Sequence, residues 1–214
     1  MGRLVVVEGL DGAGKRTLAD RLHAVLAAGG ARTARFAFPR YGVDMHAELA
    51  RDALHGRLGD LAGSVHAMAV LFALDRRGAA AQLRAALAVN DVVLVDRYVA
   101  SNAAYGAARL NQGADGEMVR WVRELEVVRF GIPVPDVQVL LDVPRSVAAE
   151  RVAHRERTEP GRDRDAYESD AGLQERTSSV YTQLAAAGWL SSWTVLDGAE
   201  AVDVETLARA AADR

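Results

Sequence analysis

The chain has 214 residues, half of them hydrophobic, and a formal net charge of −3 at pH 7. This charge gives no global attraction to nucleic acid or to an anionic membrane. The absence of cysteine excludes disulfides and thiolate metal sites, and it is typical of proteins in a reducing compartment. The longest apolar run, Ala67 to Leu74, is too short to span a bilayer and the N-terminus does not resemble a signal peptide, so we expect a cytoplasmic protein with neither a membrane nor a nucleic-acid partner.

Short β-branched runs alternate with long alanine- and leucine-rich segments. The predicted strands are Leu4–Glu8, Thr33–Phe38, Val92–Asp96, Val137–Asp142 and Trp193–Leu196. The predicted helices are Lys15–Ala28, Asp44–Leu54, Gly63–Ala88, Asn102–Arg109, Gly116–Phe130, Ser146–Arg155, Asp165–Ala187 and Val204–Ala212. Apolar strands separated by helices predict an α/β fold with a five-stranded parallel sheet covered on both faces. No linker or repeat interrupts the pattern, which predicts a single domain over residues 1–214.

A glycine-rich segment follows the first predicted strand. Gly9, Gly14 and Lys15 fit the pattern G-x-x-x-x-G-K, and a helical pattern begins at Lys15. Such glycines let backbone N–H groups turn towards phosphate oxygens, and the following helix directs its positive end at them. This predicts a phosphate-binding loop and the three-layer fold of P-loop NTPases. The alternative is a turn without a ligand; a dinucleotide-type G-x-G-x-x-G fails because Thr17 replaces the third glycine.

Phe38-Pro39-Arg40-Tyr41 follows the second predicted strand. A proline ends a strand, so this segment is either an ordinary turn or a cleft wall in which Phe38, Arg40 and Tyr41 lie beside the phosphate loop. We expect the Phe38–Pro39 bond to be cis, because tight turns favour that isomer of X-Pro bonds.

Phe72 and Arg76 lie four residues apart and share one face of a long predicted helix. An aromatic ring can stack on a nucleobase and a guanidinium can donate to a carbonyl on the base edge. Asn102 and Tyr105 share a face of a later helix in the same way, and an amide suits a base edge because it both donates and accepts. Packing in the core is the alternative for these residues, and Ser101 is the predicted N-cap of the later helix.

Asp96 ends the third predicted strand and Arg97 follows it. A carboxylate at the carboxyl end of a buried strand, beside a phosphate loop, can bind Mg²⁺ through water or orient Lys15 and Arg97. The alternative is an acid that only caps the next segment.

The segment from about 145 to 165 is rich in arginine and predicts a mobile lid. Guanidinium groups suit a lid because they stabilise negative charge on a transferring phosphoryl group. Pro160-Gly161 supplies a bend, and Tyr167-Glu168 follows. Acids are interleaved with the arginines, so a salt-bridged surface is the alternative. The arginines are Arg145, Arg151, Arg155, Arg157, Arg162 and Arg164.

These motifs resemble those of the thymidylate kinases, within the nucleoside monophosphate kinases, over essentially the whole chain. The matching segments are Glu8–Lys15, Phe38-Pro39-Arg40, Phe72–Arg76, Asp96-Arg97-Tyr98 and the arginine-rich lid ending near Tyr167-Glu168. Lys15-Arg16-Thr17 together with Ala100–Tyr105 is most similar to the actinobacterial, mycobacterial-type branch.

The resemblance implies an ATP-dependent transferase that converts dTMP to dTDP in dTTP biosynthesis. Phe72 would stack on thymine, Arg76 would donate to its O4 atom and Asn102 would pair with its N3 edge. The implied dTMP-binding residues are Asp11, Phe38, Arg40, Tyr41, Phe72, Arg76, Arg97, Ser101, Asn102, Tyr105 and Tyr167. Those for ATP are Gly12, Ala13, Gly14, Lys15, Arg16, Thr17, Arg151, Arg155 and Arg162, and those for catalysis are Asp11, Lys15, Asp96, Arg97 and Arg155.

Arg16 stands where the loop pattern places the Ser or Thr that holds Mg²⁺. The branch that this chain resembles implies a Mg²⁺ ion near the acceptor phosphate instead, bound by Asp11 and Glu168.

Two other functions stay open: a nucleotide kinase acting on dUMP, dCMP or a deoxynucleoside, and a nucleotide-binding switch or scaffold without turnover. A guanine-reading N-K-x-D segment is absent from the sequence, which argues against a GTPase switch. Similarity to the family also implies a homodimer, with the helices around residues 63–88 and 116–130 as candidate faces.

Overall fold

The computed structural model describes residues 1–158, 164–200 and 202–212, and for Arg145 and Arg155 it describes the backbone only. Five parallel strands form one sheet in the order β2-β3-β1-β4-β5. The strands are β1 Arg3–Glu8, β2 Thr33–Ala37, β3 Val92–Asp96, β4 Val137–Asp142 and β5 Ser192–Asp197. The predicted α/β class and five-stranded parallel sheet are therefore confirmed.

Helices connect the strands and cover the sheet. They are α1 Lys15–Ala28, α2 Met45–Leu54, α3 Val65–Val89, α4 Val99–Arg109, α5 Glu117–Val122, α6 Arg145–Thr158, α7 Ala166–Ser169, α8 Ala171–Ala186 and α9 Val204–Ala212. A 3₁₀ turn at Leu61–Gly63 precedes α3, and a π-helical segment at Arg123–Arg129 continues α5. Within the described ranges, none of these helices combines the length and the apolar character needed to cross a membrane.

Several helix boundaries differ from the sequence prediction, and for three of these differences a hydrogen-bonded cap supplies the reason. Helix α3 begins at Val65, because Ser64 accepts a hydrogen bond from the Ala67 N–H and caps it. The predicted helix over 165–187 divides at Asp170, whose carboxylate caps α8 through the Leu173 N–H. The third difference, in α4, depends on a distant residue.

Helix α4 begins at Val99, so the prediction that Ser101 is its N-cap is wrong. The N–H groups of Tyr98 and Ser101 donate to Oε1 of Glu8, at 2.9 and 3.2 Å. A carboxylate from β1 therefore satisfies donors that a local cap would otherwise serve. Because that cap comes from tertiary structure, the sequence around α4 does not reveal it.

Alternate residues of β1 face opposite sides of the sheet and enter two separate cores. Leu4 and Val6 pack in the core beneath α3, α4 and α8, whereas Val5 and Val7 pack against α1 and α9. Burial on both faces explains why the strand is continuously apolar.

The register places the functional motifs at one edge. Val7 pairs with Asp96, and Ala37 pairs with the same residue from the other side. The carboxyl ends of β1, β2 and β3 therefore lie side by side, where ligands of open parallel sheets bind.

Candidate functional site

A cleft with a volume of about 1530 Å³ opens at the carboxyl ends of these strands. It is larger than the roughly 300–1,000 Å³ typical of a site for one small molecule. Most of the predicted site residues line it: Asp11, Gly12, Gly14, Lys15, Arg16, Thr17, Phe38, Tyr41, Phe72, Arg76, Asp96, Arg97, Ser101, Asn102, Tyr105, Arg151, Tyr167 and Glu168. The structure thus brings together segments that are widely separated in sequence.

The glycine-rich loop forms one end of the cleft. Gly12 and Gly14 have φ angles of 81° and 100°, a region that side chains with a Cβ rarely adopt. A Cβ on Gly12 would also lie 2.2 Å from the carbonyl oxygen of Ala148, so this turn packs directly against α6. Helix α1 follows with no acidic residue in its first turn, which leaves the positive end of the helix available to an anion.

Lys15 is buried in this loop, and its Nζ atom donates to the carbonyl oxygen of Leu10 at 2.6 Å. Burial lowers the pKa of Lys15 to about 8, and the positive charge of Arg97 acts in the same direction. The carboxylates of Asp11, Asp96 and Glu8 oppose this shift. The ammonium group therefore titrates near neutral pH, unlike an ordinary lysine.

Asp11 and Arg97 form an ion pair of 2.6 Å across the mouth of the loop. Tyr105 donates a second hydrogen bond to Asp11 at 2.9 Å. Burial alone would raise the pKa of Asp11, but the charges of Arg97 and Lys15 outweigh it and hold that pKa well below its usual range. Asp11 is therefore ionised at neutral pH. Arg97 has a φ of 60°, so the backbone after β3 turns sharply at this residue.

Two tyrosines stack beside this ion pair. The rings of Tyr105 and Tyr167 lie 5.7 Å apart and nearly parallel. Arg97 lies 5.6 Å from the ring of Tyr105, and Arg109 lies 5.0 Å from that of Tyr167. Arg109 also donates to the Tyr167 hydroxyl. This alternation of cations and rings connects α4 to the short helix α7, which follows the arginine-rich segment.

The opposite end of the cleft combines an aromatic ring with two polar side chains. Phe72 and Arg76 come from α3 and Asn102 comes from α4. Arg76 and Asn102 are both buried, and both bond to Glu126 behind the cleft surface. This end can therefore hold a flat ring and present fixed polar groups to its edge.

Two predicted site residues lie elsewhere. Arg40 does not line the cleft: its guanidinium bonds to the carboxylates of Asp75 and Asp44 at 2.7 and 2.8 Å, which hold it behind the surface. The side chain of Ala13 packs in the core instead of lining the cleft. The predicted cis bond at Phe38–Pro39 is confirmed.

The arginines of the predicted lid are described only in part. Arg151 lines the cleft, and its Nη1 atom donates to the carbonyl oxygen of Ala13 at 3.0 Å. The side chain of Arg155, Arg162 itself and the predicted Pro160-Gly161 bend lie outside the described residues.

Oxygen donors in the cleft fit a divalent cation. Asp11, Asp96, Glu168 and Thr17 all line it, and the buried Oδ1 atom of Asp96 has no hydrogen-bond partner among the described residues. The described residues contain no ready cluster of three or more His, Cys, Asp or Glu side chains that could hold a metal. Mg²⁺ typically takes one or two carboxylates and completes its shell with water and phosphate, and Asp11, Asp96 and Glu168 offer such carboxylates. Glu168 also accepts the N–H of Asp165 at 3.4 Å in a capping box.

Comparison with known proteins decides the family. The family model described as thymidylate kinase matches residues 7–205. The chain belongs to the thymidylate kinase family. Thymidylate kinase of Mycobacterium tuberculosis strain H37Rv is 53% identical over 193 residues, which is 90% of each chain. Thymidylate kinase of Akkermansia muciniphila is 40% identical over 174 residues, covering 80% of this chain and 74% of that one. The predicted similarity to the mycobacterial type agrees with the higher identity.

Two buried acids of this thymidylate kinase family member were not singled out as site residues by the sequence motifs. Glu8 accepts hydrogen bonds from Tyr98, Ser101 and Tyr181 behind the loop, and Glu126 holds Arg76 and Asn102. A signal for Glu126 is present in the sequence. It continues the apolar stripe of Met118 and Val122 at a spacing of four residues, where an acid is unexpected unless it has a partner.

The lowered pKa of Lys15 predicts that ATP affinity falls as the pH rises. Deprotonation through a pKa near 8 removes the positive charge from the phosphate loop. Between pH 7.5 and 9 the protonated fraction of the free protein falls about tenfold at most, and the apparent dissociation constant should rise by the same factor. Isothermal titration calorimetry with ATP at each pH measures this.

Lys15→Arg is the matched control, because arginine keeps its charge through this range and Lys15 is the sole lysine of the sequence. The apparent dissociation constant of this variant for ATP should not change between pH 7.5 and 9. An equally steep decline in Lys15→Arg would show that another group controls the pH dependence.

Proposed function

We propose that this member of the thymidylate kinase family transfers the γ-phosphoryl group of ATP to the phosphate of dTMP, giving ADP and dTDP for dTTP biosynthesis. The observation that carries the proposal is that one cleft joins a phosphate loop to a slot lined by Phe72, Arg76 and Asn102. The first group suits a nucleoside triphosphate and the second suits a pyrimidine. A cleft of about 1530 Å³ accommodates both substrates at once.

The loop residues bind ATP in this proposal. Backbone N–H groups of Gly12 to Thr17 and the positive end of α1 surround the phosphates, and Lys15 and Arg16 add charge. Arg151 on α6 donates to the carbonyl oxygen of Ala13 in the loop, so its guanidinium lies near the proposed site of the ATP phosphates. Arg155 and Arg162 belong to the proposed lid over residues 145–165, which closes over the transferring group and excludes water.

The remaining cleft residues bind dTMP. Phe72 stacks on thymine, Arg76 donates to O4 and Asn102 contacts N3. Tyr105 lies beneath the sugar, where a ribose 2′-hydroxyl would be crowded. The phosphate and sugar are held by Asp11, Tyr41, Arg97, Ser101 and Tyr167, with Phe38 in the cleft wall. Arg40 keeps a supporting role, because Asp75 and Asp44 engage its guanidinium.

Catalysis in this proposal rests on alignment and charge. The acceptor phosphate is already an anion at neutral pH, so phosphoryl transfer requires no strong base from the protein. Lys15 and Arg97 neutralise charge on the transferring oxygens, Asp11 orients Arg97, and Arg155 arrives with the lid. One positioned arginine can contribute on the order of 10³ to 10⁵ in rate.

Mg²⁺ is the proposed cofactor, and it would neutralise phosphate charge where donor and acceptor meet. Asp11 and Glu168 are the proposed ligands, and Asp96 would contact the hydrated ion through its Oδ1 atom, which has no hydrogen-bond partner in the described part of the chain. Arg16 replaces the hydroxyl that usually holds Mg²⁺ in a phosphate loop, which favours this site over the usual one.

The wider assignments are also proposals: a single kinase domain over residues 1–214, a cytoplasmic location, a homodimer, and no nucleic-acid or membrane partner. For the dimer, α3 and the π-helical segment Arg123–Arg129 offer apolar side chains, since Val89 and Val128 are more than half exposed.

A panel of nucleoside monophosphates tests the activity. With ATP and Mg²⁺, dTMP should give a much higher kcat/KM than dCMP in an assay of ADP release, because its N3–H and O4 complement Asn102 and Arg76. dCMP should be rejected strongly, since it reverses the donor and acceptor. A preference for dCMP would indicate a different nucleotide kinase, and ATP binding without dTMP binding in calorimetry would indicate a protein without turnover.

The metal assignment predicts a weaker Mg²⁺ response in the double variant Asp11→Asn, Glu168→Gln. The Mg²⁺ concentration for half-maximal rate should rise at least about tenfold, because two anionic ligands become neutral. The control is Asp20→Asn, Glu205→Gln, which makes the same change in charge outside the cleft lining. An unchanged Mg²⁺ response in the first variant contradicts the assignment.

The dimer predicts a solution mass of twice 22.9 kDa. Size-exclusion chromatography with light scattering at the assay concentration measures it. Val128→Asp places a charge on the proposed face and should shift the mass towards the monomer, whereas Val43→Asp changes an exposed valine elsewhere and should not. A monomeric unmutated chain would refute the proposal.

A further inference from the structure

Glu126 is a buried acid with a defined set of partners. It lies in the π-helical segment Arg123–Arg129, its side chain has no solvent exposure, and it does not line the cleft. Its Oε2 atom accepts from Nε of Arg76 at 2.5 Å, and its Oε1 atom accepts from Nη2 of Arg76 at 2.7 Å. The same Oε1 atom accepts from Nδ2 of Asn102 at 2.8 Å. One carboxylate thus holds both polar residues of the slot.

The partners of Asn102 fix which way its amide points. Nδ2 donates to Glu126 and also to the carbonyl oxygen of Ala69 at 3.0 Å. Both neighbours are acceptors only, so the NH₂ group must face them and both of its hydrogens are used. The Oδ1 atom has no hydrogen-bond partner among the described residues, and Asn102 lines the cleft. Asn102 therefore presents an acceptor, and no donor, to a ligand.

The partners of Arg76 likewise determine which hydrogen-bonding group it can offer to a ligand, and that group is a donor. Glu126 occupies its Nε and Nη2 atoms, whereas Nη1 has no partner among the described residues. The guanidinium lines the cleft and is only 3% exposed. Since arginine has no acceptor atom, Arg76 can offer only a donor to a ligand. The slot therefore shows an acceptor from α4 beside a donor from α3.

We infer that Glu126 is the positioning residue that sets the hydrogen-bond polarity of the base slot and so selects bases with an N–H beside a carbonyl over bases with the reverse order. The inference rests on the proposed function, because it concerns the acceptor site of that reaction. Thymine and uracil offer N3–H and O4, which match this polarity. Cytosine offers an acceptor at N3 and an amino donor at C4, which meet like groups.

Glu126→Gln tests this inference. Both carboxylate oxygens of Glu126 accept hydrogen bonds, whereas a glutamine side chain has only one acceptor oxygen and an NH₂ group that donates. The variant therefore cannot accept all the bonds that Arg76 and Asn102 donate to Glu126. Where the glutamine NH₂ faces Asn102, the amide of Asn102 can gain a bond to residue 126 by turning its oxygen inward, at the cost of its bond to the Ala69 carbonyl oxygen, so its orientation is no longer fixed and its NH₂ group can face the base. The ratio of kcat/KM for dTMP to that for dCMP should fall at least tenfold. KM for ATP should not change, because Glu126 lies behind the opposite end of the cleft.

The ratio of dTMP to dUMP distinguishes polarity from general damage. Both bases present the same N3–H and O4 edge, so Glu126→Gln should leave this ratio unchanged. A merely structural role would lower activity on all three monophosphates without altering the ratio of dTMP to dCMP. Glu124→Gln is the matched control: it makes the same change in the same segment, on a side chain that is 49% exposed and bonds to Arg129.

Glu126→Asp covers the case in which the glutamine variant does not fold, as judged by a cooperative thermal transition and ATP binding. It keeps the charge but shortens the reach, so the ratio of dTMP to dCMP should fall by a smaller factor. An unchanged ratio in either folded variant overturns the inference while leaving the proposed kinase activity intact. Absence of dTMP turnover in the unmutated protein would instead remove the proposed function.

Discussion

The buried carboxylate of Glu8 connects the two halves of the site. It lies at the end of β1, directly before the phosphate loop, and accepts hydrogen bonds from the N–H groups of Tyr98 and Ser101. The hydroxyls of Ser101 and Tyr181 add bonds of 2.6 and 2.9 Å. A carboxylate with no solvent exposure is stable only when such donors satisfy it. Glu8 therefore fixes α4, which carries Asn102 and Tyr105, relative to the glycine-rich loop.

Charge at the centre of the cleft is arranged before any substrate binds. Asp11 and Arg97 neutralise one another at 2.6 Å, while Lys15 and Arg16 add positive charge at the loop. Because Asp11 stays ionised, its ion pair keeps the guanidinium of Arg97 oriented at the mouth of the loop. Preorganised charge of this kind stabilises phosphoryl transfer without reorganisation during the reaction. Burial, together with the positive charge of Arg97, lowers the pKa of Lys15 to about 8, so Lys15 loses its charge at a lower pH than an ordinary lysine.

Recognition at the other end of the cleft follows the same principle with hydrogen bonds. A buried acid holds an arginine and an asparagine so that each shows one kind of group to the ligand. In the proposed function, selectivity comes from the unpaired polar groups that a mismatched base would create, which cost more than a matched bond contributes. Under that proposal, the residues behind the cleft surface contribute to specificity along with those that would contact the base.

Local sequence patterns were sufficient to predict the parallel α/β sheet, the glycine-rich loop and most of the cleft lining. These depend on local patterns: continuous apolar strands, glycines at fixed spacing before a lysine, and polar residues at strand ends. The four-residue spacing of Phe72 and Arg76 likewise placed both on one helix face. Register in a parallel sheet then brings strand ends together, so side chains such as Asp11 and Asp96 could be assigned to one site before any coordinates.

The hydrogen-bond and ion-pair partners of those residues depend on how distant elements pack together. The start of α4 depends on Glu8, which is about ninety residues away in sequence. Arg40 is withdrawn from the cleft by Asp75, 35 residues further along the chain. Arg76 and Asn102 take their polarity from Glu126, on a segment that no motif marks. Ion pairs and hydrogen bonds between distant elements leave no periodic trace in a sequence, because they depend on how helices pack and not on the order of residues within one.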